Sequence, residues 1–279
     1  MSNLRILYKN IFDSYSGISM ASGSQAIGFG LANMKDDTKS KTFRSTNLTN
    51  PKIRATWASA QEISGVALAF TNLIAGSTFQ ITLYDDPAAG TLLHDTGAIP
   101  VTYNYDPPVG FDSIGSASFA YGGGAHVSAF FNSVSGVERM EIELTSAGNP
   151  DGYIEISRII AGKFWEPNDN ADYGAKTDFI DTTTGVRTSA GDLVTDRGTI
   201  TRVMEFSTQA MDSQDKAALN NLFRSIGKSQ PLFISLVPGN GPITEEQLSQ
   251  QIYGKFDMDL SVSLPFFQRY SSSIRIIEL

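Results

Sequence analysis

The chain contains no cysteine, so no disulfide staples it, no thiolate serves as a nucleophile and no cysteine-ligated metal site can form. The same absence leaves the redox compartment unread. Histidine is almost as scarce, with His94 and His126 alone. Acid–base chemistry draws most often on histidine, and the G-x-S-x-G, H-E-x-x-H and P-loop motifs are all missing. No apolar run reaches the roughly eighteen residues of a membrane span, and residues 1–10 lack the apolar stretch of a signal peptide. The expectation is a protein made in the cytoplasm and not inserted in a membrane. Positive charge is also in deficit: 21 Lys and Arg face 29 Asp and Glu, a formal net charge of −8, so phosphate backbones and anionic lipid are repelled on average. Neither nucleic acid nor membrane is an expected partner.

What is present is an ordinary globular balance, 41% apolar and 18% charged over 279 residues, a length that suits two cores better than one. From Leu4 to about Gly162, short apolar stretches are punctuated by Gly, Ser, Asn and Pro, without a sustained helical period. Many short strands separated by turns predict a β-sandwich or barrel. Residues 66–70, 79–84 and 140–144 are clear strands, and the last two alternate as a strand with one wet face must. Turn formers at Asn168, Asp169, Asn170 and Gly174 end this region and place a boundary near residue 165. The expected domains are residues 1–165, mainly β, and residues 166–279, a smaller α+β unit.

In the second unit, Leu219, Leu222, Phe223 and Ile226 follow at helical spacing, with Asp212 or Ser213 as cap and Gly227 as terminator. Thr244 and Gln247 fit the capping box of a second, short helix. Residues 255–264 alternate strictly, which predicts one half-buried strand with Phe256, Met258, Leu260, Val262 and Leu264 on a single face. Residues 274–279 are expected to return antiparallel to it, with a turn between 265 and 272.

Few constellations point to chemistry. Asn168, Asn170 and Asp172 alternate like the start of a calcium loop, but the glycine falls at 174 and Phe179 stands where a bidentate glutamate is needed, so a turn is expected. No metal, cofactor or catalytic residue is expected; a hydrolase would need His94 or His126 beside a carboxylate in one concave site. Residues 102–124 are rich in aromatics and glycine. Tyr103, Tyr105 and Tyr121 can stack on sugar rings while Asn104, Asp106 and Asp112 supply hydrogen bonds. The same residues suit a subunit interface or packing of the loop on its own domain.

Asn33, Phe43-Arg44-Ser45, Trp57, Tyr84 and above all Gly152-Tyr153-Ile154-Glu155-Ile156-Ser157-Arg158-Ile159 resemble the discoidin-like, galactose-binding-type jelly roll over about residues 1–163. The disulfide that closes many secreted members is impossible here, and residues 102–124 have no family counterpart. The whole layout, with Trp165-Glu166-Pro167, Arg202-Val203-Met204-Glu205-Phe206, Pro231-Leu232-Phe233-Ile234, Pro238 and Tyr253, resembles tail-tip or baseplate proteins of long-tailed bacteriophages. That resemblance implies a structural virion component of the tail, assembled in the host cytoplasm as a homo-oligomeric ring with other tail proteins. Phe256, Met258, Leu260, Ile274 and Ile276 are then expected at the oligomer interface. The alternative is a module that binds a cell-surface glycan through Tyr103, Asn104, Tyr105, Asp112 and Tyr121.

Overall fold

The protein is described by a computed structural model covering residues 3–88, 90–101, 125–239, 241–242, 247 and 249–279. In chain order its strands are β1 (Arg5–Leu7), β2 (Gly17–Ser22), β3 (Phe43–Ser45), β4 (Thr49–Thr71), β5 (Thr78–Tyr84), β6 (Leu92–Asp95), β7 (Ile99–Pro100), β8 (Ala125–Thr145) and β9 (Ile154–Gly162). The second half adds β10 (Lys176–Asp181), β11 (Thr184–Arg187), β12 (Leu193–Asp196) and β13 (Ile200–Met211), then helix α1 (Ser213–Ile226). It ends with β14 (Leu232–Ser235), β15 (Gln251–Phe256), β16 (Val262–Phe266) and β17 (Arg269–Glu278). The chain is mainly β, a sandwich followed by a smaller α+β unit, as its punctuated apolar pattern predicts.

Two long strands make the sandwich. β4 and β8 pair from Thr49↔Thr145 to Thr71↔Ala125, and their register shifts fall largely between Thr56 and Gly65. Bulges there bend both strands, so each runs up one sheet and back along the other. The front sheet adds β2 to β4 and β5 to β8, with β6 and β7 on β5; the back sheet runs β3-β9-β4-β8. Both ends of β4 and both ends of β8 therefore lie at one end of the sandwich, where residues 46–48, 72–77 and 146–153 connect the strands. Between the sheets lies a core of Trp57, Phe43, Phe79, Ile81, Leu68 and Ile142, all at most 1% exposed.

The second sheet runs β1-β14-β15-β17-β13-β10, with β16 on β17. A division near residue 165 follows the two sheets except at the N-terminus, where Arg5↔Ser235 to Leu7↔Phe233 place β1 in this second sheet. Trp165 bridges to Ile6, and Glu166 holds Arg5 Nε at 2.9 Å and the Asn3 backbone N–H at 3.1 Å. The Trp-Glu-Pro segment thus clamps the first strand.

α1 forms where its apolar spacing predicts. Asp212 accepts from the backbone N–H groups of Gln214 and Asp215 at 2.8 Å, and Gly227 ends the helix at φ 53°. Its buried Leu219, Leu222 and Ile226 cover one face of the sheet, and Phe223 meets the Phe256 ring at 5.2 Å. Phe256, Ile274 and Ile276 are buried in this core by the chain itself, and Leu260 packs half-buried against it. α1 supplies the apolar cover that the expectation of an oligomer interface assigned to a second copy. The single strand expected over 255–264 is instead two, β15 ending at Phe256 and β16 beginning at Val262: Asp257 still donates its N–H to the Arg275 carbonyl at 3.0 Å, but the six steps from Phe256 to Val262 face only the four from Ile276 to Ser272 on β17, so the chain between them bulges out of the ladder. β17 returns antiparallel to both. The turn before β17 is tight, Phe267-Gln268, with Gln268 at φ 56°. Thr244 lies outside the described residues.

The opposite face of the second sheet packs on the outer face of the sandwich's back sheet. Leu7, Phe233 and Tyr253 meet Ala67, Ala69, Phe70, Phe130 and Ile160 in a third apolar cluster. This burial on both sides explains why β9 is buried along its whole length. Phe70 sits at φ 53°, a strained value for an aromatic residue in a strand, and joins Ala69 in the cluster.

Because the two halves share this core, they should unfold as one unit. Trp57 lies in the sandwich core and Trp165 against the second, so single-tryptophan variants report each half. The expected result is one coincident transition by both probes. Phe233→Ala should lower both midpoints together, at a cost of about 3–5 kcal/mol.

Candidate functional site

Three polar clusters stand out, and how fully each is satisfied separates structure from function. The first lies between the two sheets, beside a cavity of about 260 Å³ lined by Tyr8, Asn10, Asp13, Asp37, Arg158 and Tyr253 among others. Arg158 is 3% exposed. Its Nη1 and Nη2 donate to Asp13 at 2.7 and 2.8 Å, Nη1 also reaches the Met34 carbonyl at 3.0 Å, and Nε reaches Asp37 at 3.0 Å and the Tyr253 hydroxyl at 3.2 Å. Tyr253 in turn donates to Asp37 at 2.8 Å. Burial pushes the Tyr253 hydroxyl up, and burial also pushes Asp13 up against the opposing pull of Arg158. Every nitrogen of Arg158 is used, so the cluster is a pin between domains.

The second cluster surrounds His126, 2% exposed. Its Nδ1 accepts from the Phe70 backbone N–H at 3.3 Å, which fixes the proton on Nε2, and Nε2 donates to Glu278 at 2.8 Å. Arg202 donates to the same carboxylate at 2.8 Å. Burial holds the imidazole neutral and moves its pKa down. Burial alone would raise Glu278, but the hydrogen bond from His126 and the charges of Arg202 and Lys39 outweigh it and hold the carboxyl at about 2. With both ring nitrogens engaged, His126 has no proton-transfer work to do. His94 is elsewhere, stacked on Phe131 at 4.5 Å with its Nε2 buried and without a partner among the described residues. The two histidines serve different clusters.

The third cluster is open. β3 is the edge of the back sheet, and Arg44 pairs with Glu155 across it. The loop before β3 folds back so that the Arg44 N–H donates to the Phe29 carbonyl at 3.1 Å. This brings Phe29 to one side of the Arg44 guanidinium, 4.0 Å from ring centre to carbon, and Tyr153 to another at 4.5 Å. Nε is held by Glu155 at 2.9 Å, and Glu155, 3% exposed, also accepts from Thr42. Nη1 and Nη2 carry no hydrogen bond among the described residues, and the side chain is 29% exposed. Beside the platform, Asn72 donates to Asp151 at 2.8 Å and to the Tyr153 carbonyl at 3.1 Å, fixing the 149–153 loop. A planar cation that faces two aromatic rings, is pinned through one nitrogen and is partly exposed can receive carboxylate or hydroxyl oxygens on its remaining donors.

Phe43-Arg44-Ser45 and Tyr153 to Ile159, singled out in the sequence as family-like, are thus the residues that meet here. Phe29 was missed, because nothing in its glycine-flanked loop text shows which strand it returns to. Tyr103, Asn104, Tyr105, Asp112 and Tyr121 lie outside the described residues. Their segment leaves the front sheet at Val101, whose N–H donates to the Ser77 carbonyl at 2.8 Å, and rejoins at Ala125 beside Thr71. Both anchor points are at the loop end of the sandwich. Asn168, Asn170 and Asp172 spend their side chains on Asp212, the Leu4 N–H and Ser207, as an interdomain turn would.

No protein-family model and no curated sequence matches the chain. Among solved structures it is similar to chitosan-binding module 1 of a chitosanase/glucanase from Paenibacillus sp. IK-5, at 15% identity and TM-score 0.39, over 56% of this chain and 99% of that one. It is similar too to the module CBM32-1 of a family 31 glycoside hydrolase from Clostridium perfringens, at 14% identity and TM-score 0.36, over 56% and 99%. The lectin domain of lectinolysin complexed with Lewis B antigen aligns at 12% identity and TM-score 0.37, over 56% and 96%. Likeness at this level says nothing of a ligand for this chain.

The His126 cluster predicts the pH dependence of stability. The unfolded chain takes up a proton at the ordinary histidine value of 6.5 while the folded chain resists it, so stability is full above that value and falls as pH drops below it. Glu278 adds a second loss as pH falls from its ordinary 4.5 towards about 2. In thermal melts against pH, His126→Gln should flatten the first window and leave the second.

Proposed function

We propose that the protein binds glycans through the loop end of its sandwich, with Arg44 as the polar centre and Phe29 and Tyr153 as apolar walls. The observation that carries this reading is the Arg44 guanidinium, stacked at 4.0 and 4.5 Å on two aromatic rings, pinned through Nε, and holding its terminal amino groups free among the described residues. Sugars offer what such a platform takes: C–H faces for the rings and oxygens for the fork. Acidic sugars fit best, because a carboxylate meets guanidinium with two parallel hydrogen bonds. The flanking residues Val101 and Ala125 both lie at this end, which supports Tyr103, Asn104, Tyr105, Asp112 and Tyr121 as further contacts. The role is binding without catalysis.

A second reading, a structural protein of a phage tail tip that joins other tail proteins, is favoured by one observation. Large apolar side chains stand exposed on hairpins of the second domain, Phe179, Val186, Phe266 and Phe267 among them at 69–87%. Peptide mass spectrometry of purified tailed particles tests it, and absence of the protein there would overturn it.

For the glycan reading, an array should show saturable binding that favours uronic acids over their neutral counterparts. Arg44→Lys, which keeps a cation beside the buried Glu155 but loses the forked donors, should weaken it about tenfold, as the loss of ~1.5 kcal/mol in charged hydrogen bonds implies, in protein that still melts cooperatively. Tyr153→Ala should weaken acidic and neutral sugars alike. A flat array with folded protein would sink the proposal.

A further inference from the structure

Glu155 is buried beside Arg44, and nothing in the packing of β9 asks for a carboxylate there. It is 3% exposed and stands directly opposite Arg44 across the β3–β9 pair. Both hydrogen bonds that its side chain receives, from Arg44 Nε at 2.9 Å and from the Thr42 hydroxyl, end on Oε1, and Oε2 carries none among the described residues. The backbone at this point is fixed without the carboxylate. The Glu155 N–H donates to Asn72 Oδ1 at 2.7 Å, and the Asn72 N–H donates to the Glu155 carbonyl at 3.3 Å. A buried ion pair adds little stability over apolar residues of the same size, so the effect of this carboxylate falls on Arg44.

Two effects follow from the one contact. Held through Nε, the guanidinium keeps Nη1 and Nη2 for a ligand. The second effect is charge. A ligand carboxylate on those nitrogens lies within roughly 4–8 Å of the Glu155 carboxylate, since both are hydrogen-bonded to one guanidinium. At that range, with little water around Glu155, the two anions repel through a low dielectric, whereas a neutral sugar hydroxyl feels almost none of the repulsion. Asp151, on the neighbouring 149–153 loop, is also acidic, but it is exposed, so water and salt screen it.

We infer that Glu155 is the specificity residue of the Arg44 site: its buried charge offsets that of Arg44 and holds the preference for acidic over neutral sugars to a modest level. The inference rests on the glycan reading and deepens it by naming what sets the ligand class, a site that takes uronic acids and their neutral counterparts both.

The test compares full-length wild type with Glu155→Gln by calorimetric titration. The two probes are the tightest-binding uronic-acid oligosaccharide of the array and the same oligosaccharide with its carboxyl reduced to the alcohol. Gln keeps an oxygen where both hydrogen bonds end and removes the charge. The acidic probe should bind about threefold to tenfold more tightly to the variant, and the neutral probe should stay within about twofold. A merely structural part for Glu155 would weaken both probes alike, and that result, or an unchanged ratio, overturns the inference while leaving the glycan reading intact. Asp151→Asn should move the ratio by less than about twofold, and a shift as large as that of Glu155→Gln would take the role away from the buried charge. Wild type gives a reading that needs no variant: its preference for the acidic probe should stay below about tenfold, and a preference of about a hundredfold would mean that Glu155 offsets nothing. Binding of neither probe by folded wild type overturns the glycan reading itself, and this inference with it.

Discussion

Arg158, buried between the sandwich and the second sheet with a partner for each of its nitrogens, fixes how the two halves of the molecule sit. A guanidinium in that position is costly unless every donor is met. Asp13 and Asp37 from the first half and the Tyr253 hydroxyl from the second meet it together, so the pin is complete only when both halves are docked. The apolar cluster of Phe70, Phe130, Phe233 and Ile160 around it supplies the burial. Removing one carboxylate would leave part of a buried charge unanswered, a larger loss than the pair adds by its presence.

From that docking the rest follows. The back sheet is covered on both faces, so its outer surface is unavailable to a ligand except at the edge strand β3, and there Arg44 is left half open. Arg44 and Arg158 lie on neighbouring strands, β3 and β9, yet one is left half open and the other is a strut. The difference is occupancy: Glu155 takes one nitrogen of Arg44 and leaves a fork free among the described residues, while every nitrogen of Arg158 is bonded. The second sheet, with one face on the sandwich and the other under α1, has only its projecting hairpins left to expose apolar surface.

Much of the fold was legible in residue order. Local signals act over a few residues, and they located α1 from Asp212 to Gly227 and the strands within β4, β5 and β8. The signals failed where partners are far apart in sequence. The alternation of residues 255–264 reads as one strand, but β17 has two residues too few between the partners of Phe256 and Val262, so the chain bulges out of the ladder after Asp257. Phe256, Ile274 and Ile276 read as surface for another copy because no local pattern reveals that α1, which ends at Ile226 well before β15 opens at Gln251, folds over them. His126, two residues past the glycine run 122–124, lies in strand β8 and packs against Phe70 and Phe233.

The sequence by itself determined the class of the protein: a cysteine-free, acidic, mainly β chain with two cores, one well-capped helix and little of the usual catalytic equipment. Those properties depend on composition and short-range periodicity, which survive without knowledge of contacts. Only the tertiary structure decided which polar residues are spent and which are free. It joined the first strand to the last sheet and brought Phe29 and Tyr153 to Arg44. Each of these depends on pairing between residues that chain order keeps distant, and the energy that selects such pairs comes from burial and hydrogen-bond satisfaction of the whole, which no local window contains.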